Sequence, residues 1–253
     1  MPTDRRGALR AGAATALAGA LATACGTEPR PEPGPHSPAP AAPVAAPAPR
    51  RYPGRPTEIA AGPPDRPRVA LTFHGQGDPA LARAILDRAE HAGAHLTVLA
   101  VGEWLDRHPE MARRILDGGH DLGNHTQRHI DINAMNETDA HAEIEGCARR
   151  LRRLTGSIGT WFRPSRTQHA GAVVQRAARR AGYPHVLSYD VDSLDFTRPG
   201  PAAVVANVTG RIRAGSVVSL HFGYPDTVAA LPLLLADLDR RGLRAVTTTE
   251  LLS

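Results

Sequence analysis

The sequence predicts an α/β fold in which a mainly parallel sheet curls into a barrel, and three observations carry that prediction. From about residue 68 onward, short β-prone runs alternate with longer helical ones. Several helical runs open with Pro and stop before Gly, and titratable side chains recur where the β-prone runs end, which is where such folds keep their chemistry. A chain of 253 residues with 42% hydrophobic content can bury the core this requires.

Residues 1–25 read as an export signal. RRGALR supplies a positive start and AGAATALAGALATA a mild apolar run too short to span a membrane. The Arg5–Arg6 pair resembles a twin-arginine signal. LATAC before Gly26 resembles a bacterial lipobox, with Ala22 where Leu is usual, so membrane attachment through lipid on Cys25 is expected, ordinary cleavage being the alternative. Residues 26–67, as in PAPAAPVAAPAP, predict a disordered, semi-extended tether. A signal followed by a tether places the domain at 68–253 outside the cytoplasmic membrane, bound to the envelope or secreted.

Within 68–253 the first strand is expected at 68–73, where VALTF is apolar and β-prone, followed by a helix at 79–92 that opens on Pro79 and closes before Gly93. Strand 95–101 and helix 109–118, from Pro109 to Gly118, repeat the pattern. Strand 121–123 leads to the long helix 137–154, and strand 160–162 to helix 171–181, which ends before Gly182. Strand 185–189 precedes helix 201–212, opened by Pro201; strand 216–220 precedes helix 227–241, closed by Gly242; and strand 244–246 comes last.

Composition removes several functions. The formal charge is only +5, of which Asp4, Arg5, Arg6 and Arg10 carry +2 inside the export segment, so no nucleic-acid partner is expected. All 30 basic residues are Arg, which excludes lysine Schiff-base chemistry and a Gly-Lys phosphate loop. Cys147 has no partner within 68–253 and reads as a small buried hydrophobe.

The strand ends collect His74, His125, His129, Arg163, Asp190, Asp192, Asp195 and His221. Each of the four Phe residues, Phe73, Phe162, Phe196 and Phe222, adjoins one of these, which predicts a pocket with apolar walls around a few charged groups. His125 and His129, four apart in a polar loop after a strand, are the spacing expected of a pair gripping a divalent ion such as zinc. His91 and His95 share that spacing but straddle Gly93 and read as structural. Asp190 and Asp192 line the groove or cap the following loop. Tyr183, Tyr189 and Trp161 read as core.

In order along the chain, LTF, GNHTQRH, FRP, DVDSLDF and SLHF resemble the five signature segments of the polysaccharide deacetylase (NodB homology) family, carbohydrate esterase family 4. The resemblance spans nearly all of 68–252 and implies a distorted (β/α) barrel of about seven strands. It also implies a divalent metal, zinc being usual, and hydrolysis of acetamides on peptidoglycan or chitin-like polysaccharide. Carried over, His125 and His129 match metal ligands, Arg163 the arginine that holds the catalytic carboxylate, Asp195 the aspartate that tunes the acid, and His221 the acid that protonates the leaving amine.

The first segment departs from the family. Where Thr-Phe-Asp-Asp-Gly is usual, this chain has His74 and Gly75 in place of the base and the third ligand. Three readings of HGQGD follow. In the preferred one His74 is the third metal ligand and Asp78, swung in by Gly75 and Gly77, is the base held by Arg163. In the second, Asp78 binds metal and His74 is the base. In the third, catalysis is lost and the domain is a glycan-binding pseudoenzyme.

Overall fold

The computed structural model describes residues 46–253 of the chain. The expectations for the export segment, for Cys25 and for the first part of the tether therefore lie outside the described residues. Among the described residues no helix is long and apolar enough to cross a membrane.

The central sheet is parallel, with strand order β4 (Asp121–Asn124), β3 (Thr97–Ala100), β2 (Arg68–Gly75), β7 (Val217–His221), β6 (Val191–Asp192), and β8 (Arg244–Ala245) added at the start of β2. Beyond β4 the pairing continues through Phe162 to β5 (Val186–Leu187), which pairs in parallel with β1 (Glu58–Ile59). An antiparallel bridge from Ala61 to Ser216 brings the end of this path back to the foot of β7. The sheet is thus a curled, incompletely laddered barrel, as expected.

Helices α1 (Pro79–His91), α2 (Gly102–Arg107), α3 (Glu110–Asp117), α4 (Glu137–Thr155), α5 (Ala172–Arg180), α6 (Pro201–Thr209), α7 (Pro225–Arg240) and α8 (Thr248–Leu251) connect the strands. Their ends follow local chemistry. The Asn136 side chain accepts from Asp139 N–H to start α4, Gly156 closes it at φ 77°, and Thr247 with Glu250 forms a capping box on α8.

The side-chain alternation of the strands sets the site. On β2, Val69, Leu71 and Phe73 join the large core shared with Ile85, Leu86, Leu231 and Leu234 of the surrounding helices. Ala70 belongs instead to the inner cluster with Leu99, Trp161 and Val217, so Thr72 and His74, in phase with it, face the barrel interior. On β7, Val218 and Leu220 face the helices, which leaves Ser219 and His221 inward. On β6, Val191 faces outward and Asp192 inward by the same rule.

Several expectations need correction. Residues 46–67 are not all tether: Ala46 is buried, Pro47 O accepts from Ser157 Oγ, Tyr52 stacks on Trp161 at 5.4 Å, and β1 completes a sheet pairing. The folded unit therefore begins well before residue 68. The strand expected at 160–162 is reduced to one residue, Phe162, bridged to Asn124 and to Val186, while β1, β6, α2 and α8 were not expected.

Candidate metal centre and its cavity

His74, His125 and His129 come together at the C-terminal ends of β2 and β4, each offering a ring nitrogen within 4.8 Å of the others. The loop that supplies two of them is held rigidly. Asn124 donates to Ile144 O at 2.8 Å and to the Tyr183 hydroxyl at 3.0 Å, and its own side-chain oxygen accepts from Thr126 N–H at 2.9 Å. Thr126 and His129 both adopt left-handed backbone, φ 68° and 58°, which costs energy for side-chain-bearing residues and turns the His129 ring back toward His125.

The cluster fits a divalent cation. His125 Nδ1–H donates to Arg163 O at 3.0 Å, fixing the tautomer and leaving Nε2, buried and without a hydrogen-bond partner, as a lone pair facing the cluster. Burial, together with the neighbouring imidazoles and Arg163, holds His74 and His125 well below the ordinary histidine range, and burial lowers His129 to about 4. Three neutral imidazoles are the ligand set that zinc accepts.

Beside the cluster stands a histidine–carboxylate pair. Asp195 is fully buried and accepts His221 Nδ1–H at 2.6 Å, His221 N–H at 2.8 Å and the Thr227 hydroxyl at 2.6 Å. The ring is thereby fixed with Nε2 as its remaining nitrogen. The edges of Phe196 and Tyr224 approach His221 at 5.6 and 5.8 Å, and Phe196 is 46% exposed at the rim.

Arg163 is fully buried, donating Nε–H to Leu187 O at 3.2 Å and Nη2–H to Ser188 O at 3.0 Å, with Nη1 unpartnered. Burial pulls its pKa down to about 10, opposed by the charges of Tyr189 and Asp192. The Tyr189 ring lies 5.3 Å from its guanidinium carbon.

Asp78 is not brought to this cluster. It is exposed, and its carboxylate accepts Ala80 N–H at 2.8 Å as the N-cap of α1. The glycines expected to act as hinges are packing positions. Gly75 is paired with Ala100 in the sheet, and a Cβ there would lie 3.0 Å from Val98 Cγ1 and Ala100 Cα. Gly77, at φ 100°, sits so close to Gly223 that a Cβ would lie 2.6 Å from its Cα, and Gly77 O accepts Trp104 Nε1–H. The loop is pinned, and Asp78 leaves it pointing outward. The same alternation explains why position 75 offers no inward side chain.

A cavity of about 350 Å³ opens over the site, lined in part by His74, His129, Tyr189, Asp192, Ser219 and His221. Sequence reasoning put Tyr189 in the core and left Asp192 undecided. The structure gives Asp190 to local support, accepting Val217 N–H at 2.7 Å and the Ser216 hydroxyl at 3.1 Å, and gives Asp192 to the cavity. The two-residue alternation from Asp190 through Asp192 could not by itself say which carboxylate was committed to the backbone.

A family model described as Polysaccharide deacetylase matches residues 61–186. A peptidoglycan-N-acetylglucosamine deacetylase of Bacillus cereus is 32% identical over 73% of this chain and 87% of its own length. A chitooligosaccharide deacetylase of a Bradyrhizobium species is 29% identical over 69% of this chain and 85% of its own. Among solved structures, a mutant of a CE4 family pseudoenzyme from Bacillus anthracis, described as having restored enzymatic activity, superposes with TM-score 0.73 at 25% identity. That superposition covers 79% of this chain and 72% of that one.

Proposed function

The chain belongs to the polysaccharide deacetylase family, and from that premise we propose that it is a metal-dependent amide hydrolase. Its substrate would be an N-acetylated polysaccharide of the cell envelope, peptidoglycan or a chitin-like polymer. The observation that carries this reading is the joining of two devices in one cavity, the His74, His125 and His129 cluster and the Asp195–His221 pair.

His74, His125 and His129 would hold the divalent cation, zinc by the nature of the ligands, which supplies Lewis-acid polarisation of the acetamide carbonyl. The remaining work falls to the chain. Asp195 holds the proton of His221 at Nδ1 and balances the charge of the imidazolium, so Nε2–H can be delivered to the departing nitrogen as the C–N bond breaks. Phe196 and Tyr224 form an apolar rim on which a sugar ring can rest.

The test is acetate release from an N-acetylglucosamine oligomer and from isolated peptidoglycan by the whole purified chain, with and without zinc and a chelator. Zinc-dependent release supports the reading; a zinc-loaded chain that releases none overturns it. The second reading, a glycan-binding pseudoenzyme, is favoured by the loss of both carboxylates at positions 74 and 75. It is the outcome if the same oligomers bind regardless of chelator and no acetate appears.

A further inference from the structure

We propose that Asp192 is the general base of this site. The inference rests on the deacetylase reading above and supplies the group that the first signature segment lacks.

Amide hydrolysis with His221 as the acid needs a second group to take a proton from the attacking water. The carboxylates near the barrel mouth are otherwise committed. Asp78 caps α1, Asp190 holds Val217 N–H and Ser216, and Asp195 is saturated by His221 and Thr227. Among the described residues Asp192 is the one carboxylate lining the cavity shared by His74, His129 and His221.

Three further observations place it in the working part of that cavity. Asp192 pairs in register with Ser219 on β7, so both face the barrel interior. The Ser219 hydroxyl is 3.3 Å from His74 Nε2, which links Asp192 to the metal-cluster side through one intervening residue. The charge of Asp192 also acts on Arg163 and on Tyr189, the buried cation and the ring stacked near it. Arg163 Nη1, unpartnered and buried, is the kind of donor that a carboxylate at a reacting centre uses. In this chain the base thus comes from β6, separated from β2 by β7, and the arginine from the segment after Phe162.

Asp192 Oδ1 accepts Leu194 N–H at 3.0 Å, which leaves Oδ2 free of backbone bonds, with the Tyr189 side chain as its neighbour in the cavity. The step balances without any further reactant. Asp192 takes one proton from water as the water oxygen bonds to the acetamide carbon. His221 Nε2 gives one to the nitrogen as the C–N bond breaks. The products are acetate and a free amine, Asp192 releases its proton to solvent, and His221 is reprotonated.

Asp192→Asn tests this directly, because the amide keeps an oxygen for Leu194 N–H and removes only the basic atom. In the zinc-loaded whole chain, acting on chitotetraose, kcat should fall by about 100-fold or more, with KM and zinc content within about twofold of wild type. Asp78→Asn, which keeps its own helix cap, should leave kcat within about twofold. An Asp192→Asn enzyme within about fivefold of wild type would overturn the proposal, as would loss of zinc along with activity, which would make Asp192 structural. A wild-type chain that binds zinc but is inactive would instead overturn the deacetylase reading, and the base assignment with it.

Discussion

At the scale of the residue, the informative substitution is His74. It stands at the end of β2 on the inward face, so a histidine there can reach His125 and His129, whereas the neighbouring Gly75 faces Val98 and Ala100 and could reach nothing in the site. His74→Ala should lower zinc affinity by more than about 100-fold, since loss of a supporting partner alone costs about 10- to 100-fold; titration of the folded chain against a zinc indicator checks it. His125, His129, Arg163, Asp195 and His221 were marked by motifs that fall at or shortly after β-prone runs, and the structure brings His125 and His129 beside His74 and pairs Asp195 with His221. Asp78 misled because proximity in sequence says nothing about loop rigidity. Gly77 looks like a hinge in the sequence and is a packing contact against Gly223 in the fold.

At the scale of the element, long helices were legible to within a few residues, α1 and α7 by their Pro starts and following Gly, and α4 by its closing Gly156. Among the two-residue strands, β5 and β8 fell inside expected β-prone runs, whereas Val191–Asp192 and Glu58–Ile59 have too few residues to display alternation and exist only through their partners β7 and β5. Strand β4 makes the dependence of the site on an element measurable. A Cβ at Gly123 would lie 2.6 Å from Trp161 O and 2.8 Å from Leu99 Cδ1, and the next two residues are Asn124 and His125. Gly123→Ala should therefore destabilise the chain by about 1–3 kcal/mol in urea unfolding, and weaken zinc binding at the same time. Unchanged stability would mean that β4 and the Phe162 segment can separate without cost.

At the scale of the whole molecule, stability should depend on mild acid through a histidine outside the site. His120 is buried, its Nδ1 accepts Leu96 N–H at 3.0 Å, and Nε2 lies 3.2 Å from Glu90. Burial lowers its pKa to about 4, against the pull of Glu90. The unfolded chain takes up the proton near pH 6.5 and the folded chain only near 4. The stability present above pH 6.5 is thus lost progressively as the pH falls between those values, by up to about 3 kcal/mol from this group. Urea unfolding at pH 7.5 and 5, compared with His120→Asn, should show a smaller pH dependence in the variant, whose side-chain oxygen can still accept Leu96 N–H. The barrel itself was legible from alternation alone. The segment from residue 46 to β1 was not, since its Pro and Ala content reads as linker until Tyr52 is seen against Trp161.

That last contact, with the one between Trp104 and Gly77, divides the optical signal of the molecule. The chain has two tryptophans. Trp104 donates to Gly77 O in the loop that follows β2 and faces the Phe222 ring at 6.2 Å, while Trp161 stacks on Tyr52, in the segment before β1. Intrinsic fluorescence therefore has two separable sources, and replacing Trp161 with Phe would leave a single emitter bonded to the loop that follows His74.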